Sequence, residues 1–126
     1  MILHLSKRQV QPGLTVVEMK GSVHAGTDCR RVEQEVDSLI RANELRVIFD
    51  LSQVTHIDSA AIGSVVRCLS QLKKFGGSLR LAGVKGMIEG TLKLTKVDKI
   101  IQIYSTASEA AQDFPAPSGG SDITAT

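Results

Sequence analysis

At 126 residues and 42% apolar content, the chain holds material for one hydrophobic core, about one domain's worth. A net charge of +2 with only 3% aromatic residues weighs against a nucleic-acid partner, which would need a basic surface with stacking side chains. No apolar run reaches the ~18–20 residues of a membrane-spanning helix, and Met1-Ile2-Leu3-His4-Leu5 passes at once into polar residues rather than a leader. A soluble, cytoplasmic protein with no membrane partner is the expectation.

Two strands open the chain, Ile2–Ser6 and Leu14–Lys20, separated by the turn signal Gln11-Pro12-Gly13. Gly21 to Gly26 breaks the pattern. A helix follows, with Thr27 or Asp28 as its cap and Val32, Val36, Leu39 and Ile40 on one face. Val47-Ile48-Phe49-Asp50-Leu51 is apolar on consecutive positions, as in a strand covered on both faces of a parallel sheet. Asp58 or Ser59 starts a second helix, with Ile62, Val65, Val66, Leu69 and Leu72 as its stripe. Gly76-Gly77 stops it. Leu79–Ala82 reads as a strand, 86–94 as a weaker helix and Ile100–Ile103 as the last strand. Thr106-Ala107-Ser108-Glu109 is a capping box for a helix through Phe114.

This order predicts an α/β fold of about five strands and about four helices, mostly parallel, with consecutive strands as neighbours. The domain should span residues 1–114. Residues 115–126, Pro-rich and without apolar period, read as a flexible tail. Cys29 and Cys68 lie among apolar residues of expected helices and read as reduced core thiols.

The stretch from Phe49 to Gly63 passes from a buried strand through a loop into a helix start. Ser59 stands at the cap or first turn, where backbone N–H groups have no partner inside the helix. Asp58 and Ser59 could simply cap it. A serine there is also a place where a phosphate is held, since the amides and the dipole favour an anion. Phosphorylation would add about −1.5 to −2 charges beside Asp58 and could abolish docking without refolding.

The run from Val47 to Gly63 resembles the signature of the STAS family, the sulfate-transporter and anti-sigma-antagonist domain. The features in common are a strand ending in Asp-Leu and a hydrophobic-Asp-Ser-small-small-hydrophobic-Gly helix start. The resemblance continues through Phe75–Gly83, Leu94–Asp98 and Ile100–Ile103. It implies a mixed-sheet domain wound as a strand–helix superhelix, acting as a stand-alone anti-sigma factor antagonist rather than an enzyme. The serine matching Ser59 would be phosphorylated by an anti-sigma factor with serine kinase activity and dephosphorylated by a serine phosphatase. The unmodified form would bind the kinase and so regulate sigma-factor-dependent transcription. The docking surface implied comprises Ser22, Val23, His24, Asp58, Ser59, Ala60, Ala61, Gly63, Gly83, Gly86 and Met87, with no cofactor. Two departures stand out. His24 replaces the acid common after Gly-x-hydrophobic, and Lys96 stands where many members have glycine.

Other sites are set aside. His4, His24, His56, Asp28 and Asp58 lack metal-ligand spacing. Ser59 has no Gly-x-Ser-x-Gly elbow, and His56, Asp58 and Ser59 are too close in sequence to converge as a triad. The glycines of 83–90 lack a phosphate-loop pattern. Arg30-Arg31 and Lys73-Lys74 read as solvated helix faces. Two rivals remain: a STAS subunit of a lipid-transport or signalling complex in which Ser59 is only a cap, and a small enzyme using Ser59 as nucleophile.

Overall fold

Pro12 and Gly13 turn the chain back on itself, and Gly13 takes the positive φ of +80° that the turn needs. In the computed structural model, which describes residues 2–115, this turn joins β1 (His4–Gln11) to β2 (Leu14–Val23). The order continues α1 (Thr27–Arg41), β3 (Arg46–Ile57), α2 (Ser59–Lys74), β4 (Ser78–Ala82), α3 (Gly86–Leu94), β5 (Ile103–Tyr104) and α4 (Ala107–Gln112). A 3-10 turn, Val97–Lys99, separates α3 from β5. The strands form one sheet in the order β1-β2-β3-β4-β5, antiparallel between β1 and β2 and parallel elsewhere. The mixed, sequentially wound sheet expected from the sequence is the one observed.

The consecutive apolar residues of β3 are explained by its position. Val47 and Phe49 point into the core under α1, α2 and α3, with Val36, Leu69, Leu72 and Leu92. Ile48 points to the other face, where α4 covers it with Ala107, Ala110 and Phe114. A strand sandwiched in this way needs apolar side chains on both faces. Cys29 and Cys68 are buried and unbridged, and burial pushes the Cys68 thiol up to about 12.

Several boundaries differ from expectation. β2 does not end at Lys20 and β3 does not end at Leu51, because Lys20–Val23 pair with Gln53–Ile57 across two register shifts. Each shift moves side chains off the strict alternation, so the pattern breaks where the strand does not. β1 runs to Gln11 rather than Ser6. As an edge strand exposed along almost its whole length, it carries no apolar period. The final strand is Ile103–Tyr104 rather than Ile100–Ile103, since Ile100 closes the 3-10 turn and Ile101 is a core residue. α1 is preceded by Gly26 with no side-chain cap, so neither Thr27 nor Asp28 fills that role. The last helix ends at Gln112, capped by the Thr106 hydroxyl, which accepts from the Glu109 amide at 3.1 Å. Of the expected tail, 115–126, all but Pro115 lies outside the described residues.

Candidate functional site

α1, α2 and α3 follow the parallel strands β2, β3 and β4, so all three helices start at the same edge of the sheet. That edge is where an open α/β sheet gathers its loops and amide donors. Val23 and Ile57 lie opposite each other at the ends of β2 and β3, which sets the loop 24–26 beside the start of α2.

Asp58 holds these two pieces together. Its extended backbone (φ −104°, ψ 178°) makes it the N-cap of α2. Oδ1 accepts from the Ala61 amide at 2.8 Å, and Oδ2 accepts from the Ala25 amide at 2.9 Å. The Asp58 amide donates to the Val23 carbonyl at 3.3 Å. The amides of Ala25 and Ala61, in that order, hold the Asp58 carboxyl below its usual range, with His24 adding to the effect. Asp58 is therefore an anion at neutral pH, and both of its oxygens are engaged by the backbone.

Ser59 is the first residue of α2. It is exposed, and its hydroxyl makes no hydrogen bond among the described residues. The choice that the sequence left open between Asp58 and Ser59 as cap falls to Asp58. Ala60 and Gly63 are half-buried, and Ala61 is buried.

Not every residue of the expected docking surface reaches solvent. Ser22 and Val23 are 6% and 5% exposed as the last residues of β2, and Ala61 is 2% exposed. Their side chains support the surface from below. The loop offers His24, Ala25 and Gly26 instead, all exposed. Within that loop the His24 amide donates to Asp28 Oδ2 at 3.1 Å, and the His24 ring lies 6.2 Å from the His56 ring. On the β4 side, Gly83 (φ +73°) could not carry a side chain, since a Cβ would fall 2.7 Å from the Cβ of Ser52. Gly86 and Met87 are exposed at the start of α3.

Sequence reasoning missed the part played by Ala25, whose contribution is a backbone amide and leaves no side-chain signature. It also missed the lacing of α1 to α2, where the Ser64 hydroxyl donates to Glu33 at 2.6 Å and Arg67 pairs with Glu33 at 3.1 Å. A groove of about 570 Å³ runs between these two helices, but no residue of the Ser59 surface lines it. Among the described residues, no group of three or more His, Cys, Asp or Glu side chains gathers to hold a metal, and no helix is long and apolar enough to cross a membrane. Among the described residues, no side chain hydrogen-bonds to the Ser59 hydroxyl.

The sequence pattern of the STAS domain matches residues 6–110. A candidate anti-sigma factor antagonist of Thermotoga maritima is 32% identical over 77 residues, which is 61% of this chain and 68% of that protein. The crystal structure of the candidate antagonist TM1081, also from Thermotoga maritima, superposes with a TM-score of 0.80 at 24% identity, covering 87% of this chain and 93% of that one. The anti-sigma factor antagonist SpoIIAA in unphosphorylated form gives 0.68 at 15% identity, covering 87% and 96%. The Bacillus SpoIIAA structure in phosphorylated form gives 0.69 at 14%, covering 86% and 97%.

Proposed function

The chain belongs to the STAS domain family, on its anti-sigma factor antagonist side, and from that premise we propose that it is a binding module switched by phosphorylation of Ser59. The unmodified form docks on an anti-sigma factor that is also a serine kinase, and the phosphorylated form does not. A serine phosphatase returns it to the binding form. The protein carries out no chemistry of its own.

The observation that carries this reading is the division of labour at the start of α2. Asp58 does the capping, so the Ser59 hydroxyl has no structural task. A phosphate there would meet helix amides that favour an anion. It would also set about −1.5 to −2 charges beside a carboxylate already ionised. On a surface that must shed water to dock, such a charge without a partner is costly. That SpoIIAA has been solved both with and without phosphate fits a fold that tolerates the modification.

The test is capture from the native cell with unphosphorylated protein, followed by binding and mass spectrometry with the purified partner. Ser59→Ala should bind but accept no phosphate, and Ser59→Asp should bind much less tightly. Phosphate on another residue, with Ser59→Asp binding like wild type, would sink the switch.

A further inference from the structure

The side of α3 that faces away from the sheet carries large apolar side chains where a surface helix should be polar. Ile88 and Leu92 are 7% and 1% exposed and fix the inner face of the helix in the core, whereas Met87 and Leu94 are 76% and 83% exposed on its outer side. Between them comes Gly90, where a Cβ would meet nothing within 4 Å. Met87, Gly90 and Leu94 stand at i, i+3 and i+7, the spacing of a seam along one side of a helix. A glycine in the middle of that seam leaves a notch. Just beyond the helix, Ile100 adds a third exposed apolar side chain.

The charge around this seam is one-sided. Residues 85–100 hold four lysines against two acids, and the rest of the chain is balanced, so this segment holds the whole net charge of +2. Lys93 is paired with Glu89 at 3.7 Å. Lys85, Lys96 and Lys99 are exposed and form no ion pair among the described residues. Apolar side chains in a basic setting call for an occupant that is apolar in the middle and acidic at its edges.

From these features we infer that the outer side of α3 seats an acidic amphipathic helix of the partner protein that docks at Ser59. The inference rests on the reading under Proposed function. Met87 belongs to both surfaces, because α3 starts at the same sheet edge as α2. A helix fits the seam better than a lipid surface does. The notch at Gly90 receives a side-chain knob, and the burial of Ile88 and Leu92 prevents α3 from rolling an apolar face into a bilayer. No Trp, Tyr or Phe stands in 85–100 to anchor at a membrane interface. A second copy of this chain would set lysines against lysines. The face does not include Ser59, so it supplies affinity that a charge at Ser59 reduces but does not erase.

The experiment uses the full chain and the purified partner from the capture above. Leu94→Glu should weaken binding by about tenfold or more, while its unfolding midpoint stays near wild type, since Leu94 is exposed. Lys85→Glu with Lys99→Glu should weaken binding further at low salt and flatten its salt dependence. Ser59 should still be phosphorylated in both variants at saturating kinase. A partner that binds through Ser59 with Leu94→Glu within about twofold of wild type overturns this inference and leaves the switch standing. Capture of no partner overturns both. Wild type that sediments with vesicles of 40% phosphatidylglycerol, with partner affinity unmoved by Leu94→Glu, assigns the face to a bilayer instead.

Discussion

Replacing Asp58 and Ser59 one at a time separates the cap from the switch. Asp58→Ala removes the acceptor of the Ala61 amide, an N-cap worth about 0.5–2 kcal/mol. It also strips the Ala25 amide of its partner; a hydrogen bond to a charged group is worth about 1.5–3 kcal/mol when buried and less here, where water can replace it. Together these cost about 2 kcal/mol, or roughly 6–10 °C in melting temperature for a chain of this size. Ser59→Ala gives up no hydrogen bond and gains a better helix former, so it should fall within about 0.5 kcal/mol of wild type. Far-UV circular dichroism is the probe, because the chain has no Trp and a single Tyr. Asp58→Asn caps as well as aspartate does, but its single oxygen cannot serve both amides, so its cost should be intermediate. The acid limb provides a further check. The folded Asp58 carboxyl lies below its ordinary value of 3.8. Its stabilisation is therefore complete above about pH 4 and is lost as pH falls through the lowered folded value. The gap between wild type and Asp58→Asn should shrink on acidification. A Ser59→Ala variant as unstable as Asp58→Ala, or a gap that widens in acid, would refute this division of roles.

Ile62 is 6% exposed in the core under α2, and Ile62→Ala should cost about 2–5 kcal/mol in urea unfolding; a change under about 0.5 kcal/mol would place it at the surface. Lys96 is held at φ +64°, a conformation that costs most L-residues about 1–2 kcal/mol and glycine almost nothing. Lys96→Gly should raise stability by about 0.5–1 kcal/mol, reduced from the full strain by glycine's looser unfolded chain, and a fall in the midpoint would remove strain as the reason. Deletion of 116–126 should leave the midpoint unchanged, since the Phe114 carbonyl that accepts from Arg46 at 2.7 Å is retained; a clear drop would extend the domain beyond residue 114.

What could be read from the sequence followed the strength of the local signal. The run Val47-Ile48-Phe49 declared a strand covered on both faces, and it is buried on both. The stop at Gly76, with φ +86°, and the Thr106 cap were equally plain, because each depends on a residue type with one strong conformational preference. The second half of β3 was not legible. Gln53–Ile57 looks like a polar loop, and only its pairing with Lys20–Val23 makes it a strand. That pairing is tertiary, and local propensity says little about it. Burial of Ser22 was hidden for the same reason. The sequence shows a small polar residue in a glycine-flanked stretch, but the β2–β3 pairing decides which way it points. Lys96 was the reverse case. Its departure from the glycine common in the family was visible, and the backbone angle supplies the physical meaning.

Asp58 and Ser59 are adjacent, and both are good capping types, so nothing in their identity says which one caps. The sheet decides. With Val23 and Ile57 in register, the Ala25 amide comes within reach of position 58. A second acceptor oxygen is needed there, and aspartate has two where serine has one hydroxyl. Once Asp58 bridges the Ala25 and Ala61 amides, α2 stays capped whatever is attached to its neighbour. The Ser59 hydroxyl can then gain or lose charge without releasing the helix or the loop 24–26. A serine that capped its own helix would carry the phosphate on the same oxygen that accepts the amide, so docking and folding would be coupled at one atom. Placing the cap one residue earlier uncouples them, which is the condition for a switch that changes its surface while keeping its fold.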